Sequence, residues 1–328
     1  MSALEPLRFE RRLLEKAWGG RALERRFGFA LPPGARIGET WELVDRDGEN
    51  SIVAAGAFRG RTLAELMRER GGEILGRASA GQRGRFPLLV KYIDARENLS
   101  VQVHPDAEAA RRIGQGAEPK TEAWYVLDVA PGGVLYAGFR PQTRRAEFAR
   151  VAAGPGVVET LQRWDVREGD CVFVPGGTVH AIGGGVTILE VQENSDTTYR
   201  LWDWGRVGRE VHVEQALACV RFGEPPRPPG RALEAPASAA GVRRSRLVSC
   251  DRFEMELLET AGRALTRATD RFQIYAVVGG RGKLCVEGRS DGWPLAPGDV
   301  WLVPASCGGH ALDTTGGELR AVRISSPG

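Results

Sequence analysis

The sequence predicts a mainly β protein, a sandwich or barrel of many short strands with a few short helices. Gly and Pro occur 43 and 19 times in 328 residues and separate short apolar runs, a rhythm typical of such folds. The runs that predict strands are residues 86–93, 123–129, 171–174, 186–191, 273–278 and 300–303. Helical periodicity is confined to residues 62–70, 107–113 and 144–161, so we expect helices only as additions to a β core.

The composition predicts a compact cytoplasmic protein. Hydrophobic residues make up 42% of the chain, enough for a substantial core. The net charge of +3 comes from 45 basic and 42 acidic residues without a dense block of either sign, which disfavours nucleic acid and membranes as partners. The five cysteines are widely spaced and odd in number, and the N-terminal residues carry charges where a signal peptide would be apolar. A reducing compartment fits these features.

A linker and an internal echo predict two domains. Residues 223–240 are rich in Pro, Ala and Gly and lack hydrophobic periodicity, so we place the boundary there, with domains at 1–235 and 236–328. The pattern G-D-x-x-x-V-P occurs at 169–175 and again at 298–304. This echo favours a duplicated β unit, although a shared hairpin would also produce it.

Four histidines, at 104, 180, 212 and 310, limit the possible imidazole-based sites. Within residues 98–106, strand alternation puts Ser100, Gln102 and His104 on one face and valines on the other. One face is therefore apolar and the other carries potential ligand atoms. This pattern makes His104 the first candidate metal ligand.

A second ligand motif lies at residues 169–180, with the form G-x5-P-x-G-x2-H ending at His180. It predicts a strand, a tight Pro-Gly-Gly turn and a return strand that begins with an inward imidazole. Glu122 begins another apolar run and would need a partner if buried. Together with Gln102 and His104, these residues supply two imidazoles, a carboxylate and an amide oxygen, a set that suits a catalytic zinc or a similar divalent ion.

These motifs resemble those of a known family. The stretch ending at His180 is similar to the second cupin motif without its terminal Asn, and Gln102-x-His104 followed by Glu122 resembles a variant of the first. Over nearly its full length the chain resembles the short bacterial form of the zinc-dependent phosphomannose isomerases. The segments that carry this resemblance are residues 15–20, 37–42, 87–91, 99–106, 120–124 and 195–206.

The resemblance implies two cupin-type (jelly-roll) β-barrel domains, the first binding one Zn²⁺ and the second a degenerate barrel without metal. It also implies an aldose-ketose isomerase that interconverts mannose 6-phosphate and fructose 6-phosphate by metal-assisted proton transfer through a cis-enediol. The substrate would be a small sugar phosphate. The matching metal ligands are Gln102, His104, Glu122 and His180.

The remaining site residues are also implied by the resemblance. Arg200 matches the family's catalytic Arg, while Lys91, Ser100, Lys120 and Glu190 match residues that line its substrate pocket. Lys120 is one of only four lysines in a chain that otherwise uses Arg, which favours a need for a compact ammonium whose pKa can be lowered. Either Lys120 or Glu190 can serve as a base, and Glu190 can alternatively orient a metal ligand.

Two alternatives remain open from the sequence. One is another cupin metalloenzyme, such as an iron dioxygenase or a different sugar-phosphate isomerase. The other is a non-catalytic bicupin protein that binds or stores sugar. His212 and His310 match no ligand position, so we expect structural roles for them. The sequence leaves the oligomeric state open.

Overall fold

The computed structural model describes residues 4–231, 241–314 and 316–328, in which strands predominate. The strands are β1 (Leu7–Arg8), β2 (Arg12–Gly20), β3 (Ile37–Leu43), β4 (Asp45–Arg46), β5 (Glu49–Asn50), β6 (Leu88–Ala95), β7 (Val101–Val103), β8 (Glu122–Val129), β9 (Val134–Phe139), β10 (Leu161–Asp165), β11 (Asp170–Val174), β12 (His180–Ile182), β13 (Val186–Glu193), β14 (Tyr199–Trp202), β15 (Gly230–Arg231), β16 (Val242–Ser249), β17 (Glu254–Thr260), β18 (Arg263–Thr266), β19 (Gln273–Gly280), β20 (Gly282–Val286), β21 (Gly292–Leu295), β22 (Val300–Val303), β23 (His310–Asp313) and β24 (Leu319–Ser325). The α-helices are α1 (Ala22–Phe27), α2 (Leu63–Leu75), α3 (Ala107–Ile113), α4 (Arg145–Val151) and α5 (Val213–Cys219). Short 3₁₀ helices occupy Gln82–Gly84, Pro155–Thr160 and Ala305–Cys307. The prediction of a mainly β protein with few helices is confirmed.

Within the described residues, none of these helices has the length and apolar character needed to cross a bilayer.

The described residues group into two compact units. The central unit comprises Leu13–Trp41 and Val90–Gly230, and the flanking unit comprises the described parts of Met1–Arg12, Glu42–Leu89 and Arg231–Gly328. The predicted boundary at 235/236 lies outside the described residues, as does the end of the predicted linker, so that boundary stays a prediction. Residues 42–89 group with the C-terminal residues, an arrangement that a single boundary does not describe.

The central unit contains two sheets. One has the strand order β15-β11-β8-β13-β6-β2-β3 and the other β10-β9-β12-β7-β14. Apolar side chains of both sheets form one core, with Trp124 and Ile93 from the first and Leu135 and Ile182 from the second. Burial of each such side chain contributes about 1.5–3 kcal/mol relative to exposure, so this core holds the two sheets face to face.

The flanking unit repeats this arrangement with fewer strands. Its sheets have the orders β1-β22-β19-β24-β17-β16 and β18-β23-β20-β21. Tyr275 and Ala321 from the first sheet and Leu284 and Leu312 from the second share one core. Both units are therefore two-layered β structures.

The helices confirm part of the predicted pattern. The α3 prediction is confirmed at both ends, and the Asp106 side chain accepts from the Ala109 N–H at its start. The helix predicted for 62–70 continues to Leu75 after a kink at Arg70, whose φ and ψ are non-helical. The helix predicted for 144–161 is wrong in its second half. It stops at Val151 and resumes as a 3₁₀ helix at Pro155, which has no N–H to continue an α-helix.

Candidate metal centre

Three candidate ligands form one buried cluster in the central unit. His104 follows β7, while Glu122 and His180 are the first residues of β8 and β12. Each is 1% exposed, and their ligand atoms lie within 4.8 Å of one another. The two strands and the hairpin predicted from the sequence therefore bring these side chains together.

The Pro-Gly-Gly turn before His180 packs directly against the chain at His104. The Gly177 N–H donates to the His104 carbonyl oxygen over 2.8 Å, and Gly177 has a φ of 91°, which favours glycine. A Cβ on Gly176 would lie 2.8 Å from the Asp106 backbone, so only glycine fits this approach. The two glycines thus fix the distance between the strands that carry the imidazoles.

Backbone carbonyls orient both imidazoles in the same way. His104 Nδ1 donates to the Thr197 carbonyl over 2.8 Å, and His180 Nδ1 donates to the Thr178 carbonyl over 2.9 Å. Both Nε2 lone pairs therefore face the cluster. Burial lowers the pKa of His104 to about 3, with help from Lys120, and burial likewise lowers the pKa of His180. Two neutral imidazoles are the form that ligates a metal.

Gln102 lies beside the three clustered ligands and pairs with His180 across β7 and β12. The amide nitrogen lies 3.3 Å from His180 Nε2, and the amide oxygen accepts from the Ser100 hydroxyl over 3.1 Å. A half-turn of the amide would direct its oxygen into the cluster. The Ser100 hydroxyl would then accept from the amide nitrogen, because a hydroxyl both donates and accepts.

The Glu122 carboxylate is only partly satisfied. Its Oε1 accepts from the Trp124 indole N–H over 3.1 Å. Its Oε2 is buried and receives no hydrogen bond of ordinary geometry from the described residues, although Lys120 Nζ is 2.9 Å away and His104 Nε2 is 3.3 Å away. A divalent cation would supply the missing partner. The donors present, two neutral imidazoles, a carboxylate and an amide, therefore fit such an ion.

Alternating ammonium and carboxylate groups extend from this cluster. Lys120 Nζ lies 3.9 Å from Glu190 Oε1, which lies 3.1 Å from Lys91 Nζ. Lys91 and Lys16 in turn lie 3.8 and 3.4 Å from the carboxylate of Glu39. Three of the four lysines of the chain thus lie in one row of charges.

The surroundings of Glu190 and Glu39 shift the pKa values of these two carboxyl groups in opposite directions. Burial, followed by the charge of Glu122, raises the pKa of Glu190 to about 7, although Lys91 and Lys120 oppose the shift. Burial alone would raise the pKa of Glu39, but Lys91 and Lys16 hold it below its usual range. Glu190 is accordingly the carboxyl group that can take up and release a proton near neutral pH.

Arg200 lies on β14, a strand that the sequence reasoning did not predict. It pairs with Gln102 across β14 and β7, so both side chains emerge on one face of the sheet. Its Nη1 donates to the Glu210 carbonyl over 2.8 Å, while its buried Nε has no hydrogen-bond partner among the described residues. This Nε–H is therefore an unsatisfied donor in a residue that shares a face of the sheet with Gln102.

Glu39 and Lys16 are site residues that the sequence reasoning missed. Glu39 is 9% exposed and also accepts from the Trp41 indole N–H over 2.8 Å. Two signals could have found them: the scarcity of lysine marks Lys16, and a glutamate within a strand that is mostly buried needs a partner.

The other two histidines lie outside this cluster. His212 Nδ1 accepts from the Arg200 backbone N–H over 3.3 Å and so holds the end of β14. His310 lies in the flanking unit, where its Nε2 is 2.7 Å from the Tyr275 hydroxyl. Among the described residues, the cluster of His104, Glu122 and His180 is the one group of three or more His, Cys, Asp or Glu side chains close enough to hold an ion.

The central unit has two layers of sheet, and it holds two inward imidazoles, a carboxylate and a neighbouring row of lysines. These features are typical of the class of metal-assisted enzymes that act on small anionic substrates. Comparison with known proteins specifies the family. The profile of the phosphomannose isomerase type I catalytic domain matches residues 7–125. Mannose-6-phosphate isomerase ManA of Bacillus subtilis (strain 168) is 34% identical over 314 residues, which cover 94% of this chain and 96% of the relative. This chain belongs to the mannose-6-phosphate isomerase family.

Solved structures have the same fold. The crystal structure of the mannose 6-phosphate isomerase from Bacillus subtilis superposes with a TM-score of 0.86 at 30% identity, covering 98% of this chain and 99% of that one. A mannose 6-phosphate isomerase described as holo and zinc bound superposes with a TM-score of 0.78 over 98% of this chain and 99% of that one. The latter is 18% identical, so this likeness concerns the fold alone.

Proposed function

We propose that this chain interconverts mannose 6-phosphate and fructose 6-phosphate through a cis-enediol, using one Zn²⁺ per chain. The observation that carries the proposal is the buried cluster of His104, Glu122 and His180, whose Nε2 and carboxylate atoms converge beside a row of lysines. The names of the relatives supply the substrate pair.

We assign His104, Glu122, His180 and Gln102 as the residues that would hold the zinc. The two fixed tautomers, the unsatisfied Glu122 oxygen and the Gln102 amide support this set. The zinc-bound isomerase of the same fold agrees with this choice of metal. When bound, zinc would supply Lewis-acid stabilisation of negative charge on the substrate oxygens.

We assign the proton transfer between C1 and C2 to Glu190 or Lys120. A pKa of about 7 lets Glu190 accept and return a proton at neutral pH. Lys120 Nζ lies 3.2 Å from His104 Nε2 and 2.9 Å from Glu122, so its ammonium is next to the centre of reaction. The positive charge of Lys120 would stabilise negative charge on an enediolate.

We assign substrate binding to Lys91 and Ser100, and charge stabilisation to Arg200. Lys91 is buried and fixed between Glu190 and Glu39, so its ammonium needs little reorganisation when a substrate binds. Ser100 is 3% exposed and holds Gln102 in place. Arg200 has an N–H without a partner among the described residues and remains protonated at working pH.

We further propose that the chain forms two cupin-type (jelly-roll) barrel domains, with residues 1–235 as the metal-binding domain and residues 236–328 as a degenerate domain without metal. The two layers of sheet in each compact unit and the repeated hairpin support this proposal. A cytoplasmic location, without nucleic-acid or membrane partners, fits the five free cysteines and the balanced charge.

A coupled assay of the zinc-loaded protein with mannose 6-phosphate tests the proposed function. We expect fructose 6-phosphate to form, turnover to disappear after chelation, and zinc to restore it. Unphosphorylated mannose is the matched substrate control and should react far more slowly, because it lacks the phosphate, whose binding energy contributes to the reaction rate. Absence of turnover at full zinc occupancy would refute the proposal and favour the sugar-binding alternative.

The remaining alternative is another cupin metalloenzyme, which would catalyse a different reaction. An iron dioxygenase would bind iron in preference to zinc and would consume oxygen with a suitable substrate. Metal analysis of the protein as purified, together with a panel of hexose and pentose phosphates, separates that enzyme and other isomerases from the proposed one.

A further inference from the structure

A cavity lies in the central unit, on the face of the seven-stranded sheet that points away from the metal cluster. Its volume is about 510 Å³, within the range of roughly 300–1,000 Å³ usual for small-molecule sites. Half of its lining residues are Gly or Ala, for example Gly20, Ala130 and Gly185, and the lack of large side chains at these positions leaves the space open. The cavity lining contains none of the proposed metal ligands.

The strand pattern places the floor of this cavity opposite the metal cluster. Ile93 and Ala95 pack in the core between the sheets, so alternation turns Asp94 to the outer face. Thr187 and Asp128 are partners across β13 and β8 and both line the cavity. By alternation, β6 carries Lys91 on one face and Asp94 on the other, and β13 carries Glu190 on one face and Thr187 on the other. In β8, an irregularity in the register after Val126 pairs Asp128 with Thr187, although alternation alone would put Asp128 on the face of Glu122.

The rim of the cavity carries an excess of positive charge. Four arginines and two aspartates line it. Arg21 is held by Glu24 and by two backbone carbonyls, and Arg36 lies 3.8 Å from Glu97 in an exposed pair that contributes little. Arg25 and Arg96 are exposed, and within the described residues their guanidinium groups have no hydrogen-bond or ion-pair partner.

The floor offers two carboxylates and a threonine. Thr187 is 3% exposed and lines the cavity. Asp128 is exposed and Asp94 accepts from the N–H groups at the start of α1. No aromatic side chain of the described residues lines the cavity, so it offers no surface on which a nucleobase would stack.

We propose that this cavity is a second binding site for a sugar phosphate, separate from the metal cluster. Arg25 and Arg96 would bind the phosphate, because free guanidinium groups at the rim match its charge and geometry. The Asp128 carboxylate and the Thr187 hydroxyl would bind the sugar hydroxyls. The proposal does not depend on the isomerase reaction, since binding is measured without turnover.

Calorimetric titration of the zinc-loaded protein with fructose 1,6-bisphosphate tests this site. This probe has a phosphate on the C1 oxygen that isomerisation needs free, and it presents a phosphate to the two guanidinium groups. We expect at least one molecule to bind per chain. Arg25→Glu and Arg96→Glu should each weaken binding about tenfold or more, and Thr187→Val about threefold.

The matched control is Arg267→Glu, which makes the same charge change at an exposed arginine of the flanking unit and should alter affinity less than about twofold. Arg25→Gln and Arg96→Gln provide milder variants, and turnover near that of the wild type shows that each variant is folded. Wild-type affinity in both arginine variants would overturn the proposal, and so would weakening by the Arg267 control equal to theirs.

Discussion

His180 of the central unit and His310 of the flanking unit occupy the same place in two similar hairpins, but only His180 faces potential metal ligands. Each imidazole begins a strand and donates from Nδ1 to the carbonyl two residues earlier, over 2.9 Å for His180 and 3.2 Å for His310. Each meets an aromatic ring edge-on, Trp124 at 5.4 Å and Tyr275 at 5.5 Å between centroids. The hairpin alone therefore does not make a metal site.

Strand register gives the correspondence residue by residue. The residue three positions after Gly169 pairs with Trp124, and the residue three positions after Gly298 pairs with Tyr275. Trp124 and Tyr275 therefore occupy equivalent positions in the two units. Counting two residues back along each strand pairs Glu122 with Gln273. The echo G-D-x-x-x-V-P is therefore part of a longer structural repeat.

The two sites differ in the partners of the imidazole. Gln102 lies opposite His180, whereas Thr266 lies opposite His310, and Ala268 stands two residues after Thr266 where His104 follows Gln102. In the flanking unit the Tyr275 hydroxyl, itself 3.1 Å from the Thr266 hydroxyl, takes the place of an ion beside the imidazole. The comparison shows that the residues on the neighbouring strands decide whether the site can hold a metal ion, while the hairpin supplies one ligand.

The largest expected effect comes from removing the Glu122 charge. Glu122→Gln keeps the shape of the side chain but removes the carboxylate from the donor set, so we expect loss of bound zinc and a fall in turnover of about 10³-fold or more. Gln273→Met, at the matching place in the flanking unit, should leave both within about twofold of the wild type. Metal analysis with steady-state kinetics makes the measurement. Full zinc occupancy in Glu122→Gln would contradict the assignment of this ligand.

Arg200→Ala should have the next largest effect. It removes charge stabilisation of the enediolate, and we expect turnover to fall by about two to three orders of magnitude while zinc content stays near normal. Arg200→Lys should recover part of the loss. The matched control is Arg323→Ala, in the flanking unit, which should change turnover less than about twofold.

The kinetic constants decide the role of Arg200. A loss mainly in substrate binding would assign it to the phosphate. Turnover near that of the wild type with full zinc would remove it from the catalytic set, and loss of zinc would make its role structural.

Ser100→Ala should weaken zinc binding about tenfold, because Ser100 holds the Gln102 amide and loss of such a partner typically costs 10–100-fold in metal affinity. Competition with a chelator gives the affinity. Thr266→Val removes the hydroxyl opposite His310 and should leave zinc affinity unchanged. An unchanged affinity in Ser100→Ala would show that Gln102 needs no such support.

The smallest expected effect is a pH dependence from His310. Burial lowers its pKa below the ordinary value of 6.5. Above that pH the imidazole is neutral in both states, whereas below it the unfolded chain takes up a proton that the folded protein resists. His310→Gln should therefore lose less unfolding free energy between pH 7.5 and 5.5 than the wild type, by at most about 1.4 kcal/mol per pH unit. Equal losses would contradict this account.

The sequence predicted the ligand cluster more fully than its surroundings. Alternation along residues 100–104 and the Pro-Gly-Gly turn are local features, so His104 and His180 could be placed on inward faces without knowledge of the fold. The β14 strand was missed because it has only four residues, and it is stabilised by pairing with β7. Glu39 was missed because its partners, Lys91 and Lys16, lie on β6 and β2, which adjoin β3 in the sheet but are separated from it along the chain.

The number of zinc ions bound per chain, measured for His180→Gln and His310→Gln together with the wild type, tests the central claim most directly. The two variants make the same substitution at the same place in the two hairpins. We expect one zinc per chain in the wild type and in His310→Gln, and a loss of tight binding in His180→Gln. Two zinc ions in the wild type with one lost in His310→Gln, or full zinc in His180→Gln, would contradict the account.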